Sequence, residues 1–101
     1  MLVKFVAVFI AGWLAAAGAA QAAGDAAAGK AKSASCAGCH GDKGQGMAPF
    51  PALAGKPEPE QLKALQEFKS GARVNPIMNG NAAGLSDQDM ADLAAYFASF
   101  K

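Results

Sequence analysis

Apolar residues fall into three blocks of different character along the chain. Phe5 to Ala20 is a continuous apolar run of 16 residues, behind the positive charge of Lys4 and ahead of the small-residue stretch Ala20-Gln21-Ala22. That order predicts an export leader, residues 1–22, cleaved after Ala22. The run is shorter than the ~20 residues a spanning helix needs, so no stable membrane insertion is expected after cleavage. In the second block Leu62, Leu65 and Phe68 stand at helical spacing, opened by Pro57 and Pro59 and followed by Gly71. Lys63 and Glu67 are spaced as an i,i+4 ion pair on its outer face. In the third, Met90, Leu93, Phe97 and Phe100 form one stripe. Ser86 is its expected cap, Asp89 occupies the third helical position, and Leu85 is placed to staple onto Met90.

The stretches between are read from their breakers. Asp25 is placed to cap a further helix, rich in Ala and Lys, that runs to about Ser35. Gly29 within it suits close approach of another helix. From Gly41 to Gly55 glycine and proline punctuate a loop, and Arg73 to Gly84 is again irregular, with Asn75-Pro76 and Asn79-Gly80 as turn signals. No β-branched or alternating run follows Gly24. The expected class is all-α.

Composition adds a constraint. Without the leader, residues 23–101 make one domain of 79 residues, near the size where a polypeptide core alone is marginal. The 52% hydrophobic content includes the leader and many alanines, which bury little area each. Something else must supply apolar bulk. Apart from Lys4, eight basic residues balance eight acidic ones, which implies no nucleic-acid partner.

Cys36-Ala37-Gly38-Cys39-His40 answers that need. Two thiols three positions apart, followed at once by an imidazole, form the attachment signature of a c-type haem. Cys36 and Cys39 each suit a thioether to one vinyl group, and His40 then falls beneath the iron as an axial ligand. Structural zinc needs four ligands, yet these are the only cysteines and the only histidine. A thioredoxin-like dithiol would want a strand-helix-strand pattern that the chain lacks. Phe50 and Leu53, in the loop after the motif, are expected to wall the haem pocket, with Ile77 contributing from the later irregular segment.

With no second histidine, the sixth iron position falls to a methionine, a lysine, water or nothing. Met90 is explained by its helix stripe, and Met47 follows His40 by only seven residues, a short path around a pinned ring. Met78 lies far from His40 in sequence, between two helices, and is the candidate distal ligand. A His/Met pair leaves no open position, which suits electron transfer. The alternative, a haem enzyme or gas sensor with an open or displaceable sixth site, has only Arg73 to offer as a distal acid-base group.

These residues resemble a class I cytochrome c of bacterial periplasms, of the small monohaem kind similar to one half of the two-haem cytochromes c4. The resemblance rests on Gly24 to Lys30, Cys36 to Gly41, Ala48 to Gly55, Asn75 to Met78 and Leu85 to Phe97. It implies three to four helices wrapped around one covalent haem c, with Cys36 and Cys39 as thioether links, His40 as proximal ligand and Met78 as distal ligand. It also implies that the Pro49 carbonyl accepts from the His40 ring, and that first and last helices cross with Gly29 opposite Leu93, Tyr96 or Phe97. The implied protein is a periplasmic, non-enzymatic, monomeric electron carrier. From loop placement, Ala37, Met47, Ala48, Ala82 and Ala83 are expected to ring the exposed haem edge as a small transient interface for redox partner proteins.

Overall fold

The computed structural model of the protein describes residues 23–100, so the expected leader, residues 1–22, lies outside the described residues. Among the described residues five helices follow one another: α1 (Ala26–Lys32), α2 (Ala34–His40), α3 (Glu58–Ser70), α4 (Pro76–Ala83) and α5 (Asp87–Ala98). α1 packs across α5, and α3 lies against both α5 and α4. The all-α architecture is as expected, with more helical segments than three or four for two local reasons.

The first reason is Ser33. Its hydroxyl donates to the Lys30 carbonyl at 2.8 Å, and its backbone N–H reaches the same carbonyl at 3.2 Å. A hydroxyl bonded back into the preceding turn competes with the helical ladder. The expected continuous helix to about Ser35 therefore breaks, and α2 starts afresh with the haem-attachment motif on it. The second reason is Asn75. Its side chain accepts from the N–H groups of Ile77 and Met78, both at 3.1 Å, and Pro76 follows at the first helical position. Residues 76–83 are helical rather than irregular, because an N-cap followed by proline is also a helix start.

α5 is the core helix. Met90, Leu93, Ala94, Tyr96 and Phe97 are buried, and Leu53, Leu65, Leu85 and Phe100 pack against the Leu93, Tyr96 and Phe97 cluster. Ser86 and Asp89 form the expected capping box, with N–H to side-chain bonds of 3.0 and 2.9 Å. On α3, Glu67 pairs with Arg73 at 2.6 Å instead of with Lys63. Arg73 has turned back past Gly71, whose φ of +89° ends the helix in the left-handed region, and its guanidinium sits 5.4 Å from the centre of the Phe68 ring.

The crossing of α1 and α5 is close enough to exclude a side chain. A Cβ at Gly29 would stand 2.0 Å from the Asp92 carbonyl oxygen and 2.7 Å from the Tyr96 Cβ. Tyr96 is among the residues the resemblance places there, and the closest group is the Asp92 backbone. The Asp92 side chain, almost wholly buried, ties the same crossing. It accepts from Lys32 Nζ at 2.6 Å, from the Asp25 N–H at 2.8 Å and from Gln88 Nε2 at 2.8 Å. These bonds, the lysine first, pull the Asp92 carboxyl down to about 2. Lys32 also pairs with Asp89 at 2.9 Å, and its own amine is raised by Asp92 first and Asp89 second.

Two outcomes follow. Gly29→Ala forces backbone apart from backbone and is expected to cost about 3 kcal/mol, the upper end for overpacking. For a domain of this size that lowers Tm by roughly 4–8 °C per kcal/mol, read by circular dichroism melts of the haem-loaded protein. The depressed Asp92 carboxyl contributes stability that is full above its unfolded value of about 3.9 and is lost as pH falls through about 2. Asp92→Asn should lower Tm at neutral pH and make its decline in that acid window shallower; acid profiles of equal slope would contradict the assignment.

Candidate functional site

α2 sets the attachment motif on a single helical face. Cys36, Cys39 and His40 stand at i, i+3 and i+4, so all three side chains project together. Cys36 and Cys39 are separate, partly buried thiols, and burial pushes the Cys36 thiol up. His40 ends α2, only 5% exposed, with the Phe50 ring set edge-to-face and its centre 6.1 Å from the centre of the imidazole.

Its ring orientation is set by the loop that follows. The Gly46 N–H returns to the His40 carbonyl at 2.7 Å, and Leu53 and Ala54 both bond the Gly44 carbonyl, at 2.7 and 2.9 Å. Met47 and Phe50 exchange backbone hydrogen bonds of 3.1 and 2.6 Å, closing residues 47–50 into a turn. The chain leaves that turn so that the Pro51 carbonyl lies 2.7 Å from His40 Nδ1. A carbonyl only accepts, so Nδ1 carries the proton and Nε2 keeps its lone pair for a metal. The acceptor is therefore Pro51 and not Pro49. Both prolines flank Phe50; Pro49 lies inside the 47–50 turn, and Pro51, just beyond it, is the one whose carbonyl meets the ring.

The loop is fastened to α3 by Gln61, which sequence reasoning missed. Buried at 6% exposure, its Nε2 donates to the carbonyls of Leu53 at 2.7 Å and Lys56 at 3.2 Å. Its signal was position: Gln61, Leu65 and Phe68 share one face at i, i+4 and i+7.

A cavity of about 650 Å³ collects these groups. Cys36, Cys39 and His40 line it from α2, Pro49, Phe50 and Leu53 from the loop, and Ile77 and Met78 from α4. Leu65, Phe68, Leu93 and Phe97 complete an apolar wall. All the residues singled out from sequence for the pocket thus border one space. Ile77 sits at its rim, 55% exposed, whereas Met78 is half-buried in the first turn of α4 rather than in a loop. Of the expected interface ring, Ala82 is fully buried and is excluded from any contact surface, because α4 turns that face inward. Val74 and Met47 stay out in solvent, 81% and 46% exposed.

The donor set suits an iron porphyrin. An imidazole Nε2 freed by its Nδ1 hydrogen bond, a thioether sulfur, two thiols a helical turn apart and an apolar enclosure are what covalent haem with axial nitrogen and sulfur requires. The volume also falls within the ~300–1,000 Å³ typical of cofactor sites.

Comparisons with known proteins agree. Residues 26–101 match the family model described as cytochrome c. The chain is 55% identical over 85 residues to cytochrome c4 of Pseudomonas aeruginosa, covering 83% of this chain and 42% of that protein. It is 47% identical over 91 residues to cytochrome c-554(547) of Halothiobacillus neapolitanus, covering 78% of this chain and all of that protein. The crystal structure of reduced recombinant cytochrome c4 from Pseudomonas stutzeri superposes with a TM-score of 0.74 at 47% identity, over 78% of this chain and 47% of that one. The chain thus spans about half the length of the cytochromes c4 it matches. With its fold, its attachment motif and its apolar cavity in agreement, the chain belongs to the cytochrome c family, whose cofactor is a covalently held haem c.

Proposed function

We propose that the protein is an exported, periplasmic electron carrier that exchanges single electrons with redox partner proteins. The observation that carries this reading is the convergence of His40, held by Pro51, and Met78 on one apolar cavity. In this reading Cys36 and Cys39 would form the thioethers, and His40 Nε2 and Met78 would be the iron ligands. A haem held in this way would supply a one-electron couple. The work of the chain is to hold those positions still: the Pro51 carbonyl fixes the imidazole plane, and Phe50, Leu53 and Phe97 keep water from the pocket.

A catalytic role is less well supported. Arg73, the distal acid-base candidate, has its guanidinium bound to the Glu67 carboxylate through two nitrogens, at 3.0 and 2.6 Å. A group held in that way is a structural cation. The partner-facing surface is the edge of the cavity at Ile77, with Val74, Met47 and Ala48 as further exposed apolar positions. Small apolar rims of this kind suit brief encounters.

Met78→Ala is expected to abolish the far-red sulfur-to-iron band of the oxidised protein and to lower its reduction potential, since thioether ligation raises it. Retention of the band would remove Met78 as the ligand. Ile77→Lys should slow electron self-exchange by about tenfold at low salt, through like-charge repulsion at the rim, read from NMR line broadening in mixed-valence samples. An unchanged exchange rate would place electron transfer at another surface.

A further inference from the structure

We propose that Asn79 is a positioning residue, the clamp that sets where Met78 stands in the cavity. This rests on the reading of Met78 as distal ligand. Asn79 lies next to Met78 and uses its whole side chain on backbone groups outside its own helix. Its Oδ1 accepts from the Asn75 N–H at 2.9 Å, and its Nδ2 donates to the Phe68 carbonyl at 2.8 Å and to the Arg73 carbonyl at 2.9 Å. Asn75 answers by accepting from the N–H groups of Ile77 and Met78. The two asparagines form a reciprocal brace across the turn that begins α4.

Each bond fastens a different piece of chain. Phe68 lies in the last turn of α3, whose carbonyls have no partner within the helix, so the bond from Asn79 satisfies one of them while tying α4 to α3. Arg73 belongs to the connector and is anchored in turn by Glu67. Asn75 is the cap from which α4 starts. Met78 is therefore carried on a turn fixed at three points, next to a residue that cannot shift without breaking three hydrogen bonds. Local propensity does not require this: Asn75 alone caps the helix, and Asn79-Gly80 by itself reads as a turn. The brace acts on the placement of the sulfur more than on the stability of the fold.

The test uses haem-loaded protein and two readouts, the far-red band and the dissociation constant for imidazole, which must displace the distal ligand to bind ferric iron. Met78→Ala is expected to lack the band. Asn79→Ala, losing hydrogen bonds of ordinary strength, is expected to keep the band and to bind imidazole about tenfold more tightly. Asn79→Asp keeps the acceptor and loses both donors, so it should move the same way; it is read alone if the alanine variant does not accumulate. Lys32→Gln loosens the distant α1–α5 crossing and serves as control, with imidazole affinity within about twofold of the parent, a difference of ordinary measurement scale. If both Asn79 variants bind imidazole as the parent does while Met78→Ala lacks the band, the clamp is wrong and the ligand reading survives. If Lys32→Gln tightens imidazole as much as the Asn79 variants do, the effect is general loosening and the clamp is again wrong. If Met78→Ala keeps the band, the ligand reading fails and the clamp falls with it.

Discussion

The backbone-to-backbone approach of α1 and α5 at Gly29 is the constraint on which the rest of this small protein depends. With so few large apolar side chains, α5 must be covered closely, and a hydrogen atom at position 29 is what lets α1 reach the Asp92 carbonyl. Asp92 then collects Lys32, Asp25 and Gln88, so the start of the domain is pinned to its last helix by charge as well as by contact. α2 follows α1 after one turn, and its cysteines and histidine reach the cavity only because α1 has been placed first.

From that frame the site is assembled by hydrogen bonds to backbone carbonyls. Pro51 receives the His40 ring, Leu53 and Lys56 receive Gln61, and Phe68 and Arg73 receive Asn79. Each bond joins a loop to a helix or one helix to another, and each directs a side chain at the same apolar space. A domain that cannot build a large core thus uses a few buried polar bonds for geometry and leaves bulk to its cofactor. The arrangement favours a carrier: His40 is held by Pro51, Arg73 at the cavity is bound to Glu67, and Ile77 stands exposed at the rim.

Much of this was legible before any coordinates. The α5 capping box, the α3 start at Pro57 and its end at Gly71, the close contact at Gly29 and the pocket-facing Phe50, Leu53 and Met78 all carry local signals that the tertiary structure did not override. Three features were misread because their signals have two meanings. Asn75-Pro76 starts a helix as well as a turn, Ser33 ends one helix only by bonding back to Lys30, and Glu67 had two basic partners within reach, of which the folded chain chose Arg73.

The amino-acid sequence by itself determined the chemistry. The spacing of Cys36, Cys39 and His40 and the absence of any other histidine or cysteine specify covalent haem with one imidazole, because those requirements depend on residue type and separation along the chain. Only the tertiary structure decided which carbonyl takes the His40 proton, which alanines reach solvent, and which residue braces Met78. Those outcomes depend on the path of the chain between distant segments. Pro49 and Pro51 are alike in a sequence, and only the turn closed by Met47 and Phe50 tells them apart.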